Sequence, residues 1–231
     1  MFKKLFKILS PTHSTGIDLS DNSFKFVELI SGKNGIRLGQ YGETEIPAGT
    51  IEFGEIKDAL SLKDIIHKLK KETNFEHSLK PVVMPFDIKG QAIATAVVKK
   101  GDPETCMIVD VDKNNSGIYV VSKGVVVFAF QLEVGVSDPK SLRDKIAKYF
   151  LHWHTHKMEG GDSSIKKIIL CGDISDPEEF VEYMSANIRH PVQLANVWIN
   201  ILDVKKNIPE MTFKQSLSFA AAIGVALVGL D

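Results

Sequence analysis

One pattern in the sequence occurs twice, and it restricts the fold more than anything else in the chain. Gly16-Ile17-Asp18-Leu19-Ser20 leads into a polar turn at Asp21-Asn22-Ser23, an apolar-rich run from Phe24 to Ile30, a turn from Ser31 to Gly35 and a third run from Ile36. Met107-Ile108-Val109-Asp110-Val111-Asp112 likewise leads into a polar stretch from Lys113 to Ser116, a run from Gly117 to Ser122, a Lys123-Gly124 turn and a run from Val125 to Val134. Each half reads as three strands joined by short turns. Asp18 and Asp110, 92 positions apart by subtraction, each stand near the end of a first strand. Such a duplicated unit arises by chance in α/β chains, and it also describes an enzyme cleft in which two hairpin turns face one another across a nucleotide, a reading that needs motif support.

Helical spacing fills the intervals. Ser61-Leu62-Lys63-Asp64 has the form of a capping box, and Leu62, Ile65, Ile66 and Leu69 follow on one face, so a helix is expected to about Lys71. Pro81 to Phe86 reads as a short buried strand and Gln91 to Val98 as a helix. After the second meander, a helix is expected from Ser141, with Asp144 as its capping partner, carrying Leu142, Ile146, Tyr149 and Trp153 inward. A glycine-rich connection from Lys157 to Ser164 precedes a strand from Lys167 to Cys171. Asp176-Pro177-Glu178-Glu179 then supplies a cap, a first-turn proline and two acids for the next helix. Pro191 to Leu194 is read as a strand and Ser216 to Val228 as one small-residue helix. The sum is an α/β chain.

Composition narrows the function classes. A formal net charge of -1 provides no overall field for nucleic acid, and 44% hydrophobic with 25% charged residues is the balance of a globular protein. Cys106 and Cys171 lie inside apolar runs without CxxC spacing, as small core residues do. With no secretory signal or disulfide pattern, the expected compartment is the cytoplasm. The longest apolar stretch, Phe219 to Leu230, is too short to span a bilayer. Residues 1–10 place Phe2, Leu5, Phe6 and Leu9 on one helical face and Lys3, Lys4 and Lys7 on the other, the pattern of a segment in peripheral contact with a membrane. A terminus docked on the core is the competing reading.

Four ordered segments carry a family resemblance. Gly16 to Ile30 is similar to the first phosphate loop of PilM-type actin-like proteins, and Met107 to Gly135 resembles their second. Ile168 to Ile201 is similar to the adenosine-side segment and Ser216 to Leu230 to the closing helix. The resemblance implies a reduced pair of ribonuclease H-like (actin-like ATPase) lobes with mixed sheets flanked by helices, lacking the extra family subdomain. It implies a basic segment at 1–14, a first lobe at 15–90, a second at 91–212 and a closing helix at 213–231. ATP and magnesium are implied in the cleft, held by turn amides and by Asp18 and Asp110, with Ser23 offering a hydroxyl. As to function, the resemblance implies a cytoplasmic scaffold of type IV pilus assembly at the periphery of the inner membrane, in a homo- or hetero-complex, with the tail of a PilN-like membrane protein as partner.

The departures from that pattern fall where the backbone should approach phosphate. Ser20 and Asp112 stand in place of loop glycines, and Asp173 interrupts the glycine run after Gly172. Carboxylates there repel phosphate oxygens by on the order of 1 kcal/mol each in a partly buried site. ATP binding is therefore expected to be weakened or lost, and the chain to act as a pseudo-ATPase with no catalytic residue. An active ATPase that polymerises or switches, and a small-molecule kinase of the same superfamily, are the alternatives. His152 and His156 stand one helical turn apart, but no cysteine or carboxylate cluster joins them, so no metal site is expected. No Ser-His-Asp, Cys-His or P-loop pattern is present.

Overall fold

The computed structural model describes residues 12–33, 35–52, 55–72, 86–155, 164–186, 188, 190–201 and 209–230. These fall into two compact units, one built mainly on 12–72 with 221–230 and the other on 86–200 with 211–220.

The first unit opens with β1 (Thr12–Leu19), β2 (Ser23–Gly32) and β3 (Gly35–Glu45), an antiparallel sheet in that order. β2 is central and buried on both faces, so it reads SFKFVELISG rather than as a strict alternation. A short hairpin, β4 (Ile51–Glu52) with β5 (Glu55–Ile56), precedes α1 (Ala59–Glu72). Leu62, Ile66 and Leu69 on α1 close over Phe24, Phe26, Ile46 and Ile51. The helix starts one turn ahead of the expected capping box: the Asp58 carboxylate accepts the amides of Leu60 (3.0 Å) and Ser61 (3.1 Å). At the end of the chain α6 (Ala220–Val228) lies against β1 so closely that a Cβ on Gly16 would sit 1.8 Å from the carbonyl oxygen of Ala222.

In the second unit α2 (Phe86–Val97) precedes β6 (Thr105–Val111), β7 (Ser116–Ser122) and β8 (Val125–Leu132), the second meander. α3 (Pro139–Thr155), β9 (Lys167–Gly172), α4 (Pro177–Ser185), β10 (Val192–Leu194) and the short α5 (Phe213–Leu217) follow. The five-strand order is β10-β9-β6-β7-β8, with β9 and β10 parallel to β6 and the meander antiparallel. Its core is aliphatic, built from Met107, Val109, Ile118, Val120, Leu142, Ile146, Ile168, Leu170 and Met184. At roughly 25 cal/mol for each Å² of apolar surface removed from water, such side chains contribute about 1.5–3 kcal/mol apiece.

Most sequence expectations for these elements hold; besides the start of α1, three need correction. Asp138, not Ser141, caps α3, accepting the Ser141 amide at 3.0 Å. The expected single helix from Ser216 to Val228 is two helices, parted at Ser218 and Phe219. α2 begins well before Gln91. Asp176 does cap α4, accepting the Glu179 amide at 3.1 Å, with Pro177 in the first turn. The expected strand at 81–86 lies outside the described residues up to Pro85, as do the amphipathic segment 1–10 and His156. Both cysteines are buried and free, and burial pushes the Cys106 thiol up to about 11, so it remains a protonated core residue.

Candidate nucleotide-type site

In an open α/β sheet, ligands bind beyond the carboxyl ends of the strands, at the point where successive strands leave in opposite directions. Here that point lies between β6 and β9, because the chain runs from β6 outward through β7 and β8 and returns to β9 on the other side. The register pairs Asp110 with Cys171 and Val111 with Gly172. Asp112 and Asp173 therefore leave the sheet side by side. Four of the expected site residues, Asp110, Asp112, Gly172 and Asp173, are brought together by this topology.

The local backbone explains why. Gly172 has φ +103°, and a Cβ there would lie 2.0 Å from the carbonyl oxygen of Val111. Only glycine allows the crossing. Beyond it the Asp173 amide donates to the same carbonyl at 2.7 Å. The turn after β6 closes on itself: the Asp112 amide donates to the Asn115 carbonyl (2.9 Å), and the Lys113 amide donates to the Asp112 carboxylate (2.9 Å). Burial pushes the Asp112 carboxyl above the usual carboxylate range; the Lys113 amide opposes that rise and the nearby Asp173 charge adds to it.

The remaining three expected residues lie in the first unit. Asp18 sits near the end of β1, directly across the ladder from Lys25, which in turn faces Glu43 on β3. The turn that follows is again closed from within. The Ser20 amide donates to the Ser23 carbonyl (2.9 Å), while the Ser20 hydroxyl accepts the amides of Ser23 (3.0 Å) and, at longer range, Asn22 (3.4 Å). The Ser20 and Ser23 hydroxyls lie 3.1 Å apart.

Two lysines absent from the sequence-derived set belong with these residues. Lys25 is buried in β2, its ammonium 3.3 Å from Glu43. Its signal in the sequence is a cation between two phenylalanines, Phe24 and Phe26. Lys89 on α2 reaches Asp110 at 2.8 Å. The sequence pattern starts a helix only at Gln91, which places Lys89 outside any expected element. α2 approaches β7 so closely at Gly90 that a Cβ would lie 2.3 Å from the Tyr119 ring, and this contact fixes the position of Lys89.

Magnesium favours oxygen ligands, often one or two carboxylates with phosphates and several waters. The second loop fits that need poorly. Asp110 already carries an ammonium, and among the described residues no group of three His, Cys, Asp or Glu side chains converges as a metal site. Phosphate binding by a turn requires inward-facing amides. Those of Ser20, Ser23, Asp112 and Lys113 are occupied within their own turns.

No protein-family model matches the sequence, and no curated protein matches it either. Solved structures do. A chain of a PilM–PilN type IV pilus biogenesis complex superposes with a TM-score of 0.64 at 11% identity, over 94% of this chain and 98% of that one. EutJ, an ethanolamine utilization protein from Carboxydothermus hydrogenoformans, gives 0.58 at 15% identity, over 95% and 91%. AlfA from a B. subtilis plasmid, in its filament structure, gives 0.52 at 15% identity, over 94% and 98%. With its mixed sheets flanked by helices and these neighbours, the chain has the actin-like ATPase, or ribonuclease H-like, fold.

Proposed function

We propose that this protein is a PilM-like scaffold of type IV pilus assembly, with weak or lost ATP binding, that acts through protein contacts. The observation that carries the reading is the closure of both turns by their own side chains: Ser20 takes up amides in one, Asp112 in the other. An incoming phosphate would have to displace these bonds and, at the second turn, approach Asp112 and Asp173. The likeness to the PilM chain supports the pilus assignment, and a PilN-like cytoplasmic tail is the partner it suggests. The proposed location is the cytoplasmic face of the inner membrane. Among the described residues no helix is long and apolar enough to cross a membrane.

Calorimetry of ATP binding to the purified chain, with and without magnesium, tests the nucleotide half of the proposal. No binding at millimolar ATP is expected, and micromolar binding would overturn it. Capture of pilus inner-membrane components from the native host tests the other half. Recovery of a PilN-type protein supports the scaffold, and recovery of no pilus component counts against it.

A second reading is an active ATPase that forms filaments. It draws on the likeness to AlfA in its filament structure and on the buried Lys25 ammonium across the ladder from Asp18. Phosphate release that Asp18→Ala or Asp110→Ala abolishes, with ATP-dependent light scattering, would establish it in place of the scaffold.

A further inference from the structure

We propose that Lys89 is the resident cation of the second loop: it holds Asp110 in the place of a divalent ion, so that this unit neither takes nor needs one. The proposal deepens the reading of an impaired nucleotide site and rests on it. Its basis is geometric. The Lys89 ammonium lies 2.8 Å from Asp110 Oδ2, and both side chains are largely removed from solvent, at 28% and 14% exposure. The ammonium is supplied by α2, whose approach to Tyr119 at Gly90 leaves room for no side chain, so the cation is positioned by packing and not by a flexible loop.

Charge accounting points the same way. Asp110, Asp112 and Asp173 gather at the ends of β6 and β9, and Asp112 feels the charges of Asp110, Asp173 and Lys89. A carboxylate group of this kind needs compensation, and a divalent ion is one means of providing it. Here a tethered ammonium does so in part. A divalent ion approaching Asp110 must either displace Lys89 or sit beside its positive charge, and each route lowers its affinity. Lys89 thus sets the cation requirement of the site by acting through Asp110.

The test uses Mn²⁺ as a paramagnetic probe, titrated into the full chain without nucleotide and followed by electron paramagnetic resonance. Wild type is expected to bind no Mn²⁺ through Asp110 in the low millimolar range. Lys89→Met is expected to tighten Mn²⁺ binding by on the order of tenfold, and adding Asp110→Asn should abolish that gain. Lys89→Gln removes the charge but keeps a polar hydrogen-bond donor on a shorter stem, so it serves as a second neutral variant beside methionine and should show the same gain. Mn²⁺ bound by wild type and lost in Asp110→Asn overturns the inference, as does a folded Lys89→Gln that gains nothing. Metal-free ATP binding at micromolar concentration would sink the impaired-site reading and leave Lys89 in its role. Mn²⁺ binding by wild type without ATP binding would do the reverse.

Discussion

The two turns that open the two meanders solve one local problem with different chemistry. After β1 a neutral hydroxyl, Ser20 Oγ, accepts the turn amides, with the Ser23 amide at 3.0 Å. After β6 a carboxylate, Asp112, accepts the Lys113 amide at 2.9 Å, in a setting that burial makes unfavourable for its charge. Both closures shape a hairpin and occupy donors that an anion would use. Only the second adds a negative charge, and there a lysine, Lys89, stands against the strand-end aspartate in an ion pair of 2.8 Å. A hydroxyl closure can be undone by a competing acceptor at the loss of ordinary hydrogen bonds, whereas a carboxylate closure also repels the competitor. Under the proposed loss of nucleotide binding, the second turn is the stronger block to phosphate.

The largest effects are expected where the backbone crossings beneath the turns allow no side chain. Gly172→Ala combines a φ of +103° with a Cβ 2.0 Å from the Val111 carbonyl and should destabilise the protein by about 3 kcal/mol. Gly16→Ala meets the Ala222 carbonyl at 1.8 Å and should cost about as much, by forcing α6 off β1. Gly35→Ala, with φ +99° and open space around it, isolates the backbone contribution at about 1 kcal/mol. Urea midpoints rank the three. A Gly172→Ala loss no larger than that of Gly35→Ala would mean that the β6–β9 crossing yields, and the second turn would no longer count as the rigid one.

Next in size is the charge itself. Asp112→Asn keeps an acceptor for the Lys113 amide and removes the carboxylate, and with Asp173→Asn it should raise ATP affinity on the order of tenfold. The same Asp112 variant carries a pH signature. Burial raises the folded-state pKa of Asp112, so its favourable contribution is fully present below the ordinary carboxylate value near ~4 and is lost as pH rises through the raised one. Asp112→Asn should therefore melt above wild type at pH 7, with the gap closing toward pH 3. A gap of the opposite sign at neutral pH would show that Asp112 is stabilised as a charge, and the contrast between the two turns would collapse.

How far the sequence disclosed all this follows the range of the forces involved. The meanders were legible because turn residues and apolar runs are local, and β1 to β3 and β6 to β8 stand close to where Gly16–Ile30 and Met107–Val134 placed them. The Asp176-Pro177 start of α4 was legible for the same reason. The caps of α1 and α3 were not, because Asp58 and Asp138 each lie three residues ahead of a serine that offers an equally good local pattern, and Leu60, just inside the true start of α1, is 76% exposed and does not mark it. The break between α5 and α6 carries no glycine or proline at Ser218 or Phe219. Of the site, the aspartates and Gly172 could be named from short motifs. Lys89 could not, since only the pairing of β6 with β7, and of α2 with Tyr119, brings it to Asp110.

The smallest effect tests the first turn. Ser20→Ala deletes the acceptor of the Ser23 amide without introducing or removing charge, and should destabilise the first unit by about 1 kcal/mol, the usual net contribution of one hydrogen bond. Because a serine hydroxyl does not titrate, the difference between Ser20→Ala and wild type should stay constant from pH 4 to pH 8, unlike that for Asp112→Asn. Urea unfolding of both variants across that range makes the comparison within one protein. A Ser20→Ala difference that grows with pH would tie this turn to a neighbouring ionised group, Asp18 and Asp21 being the nearest in sequence, and the neutral closure assigned to it would have to give way to a charged one. A constant difference leaves the two turns as chemically distinct closures of one fold position.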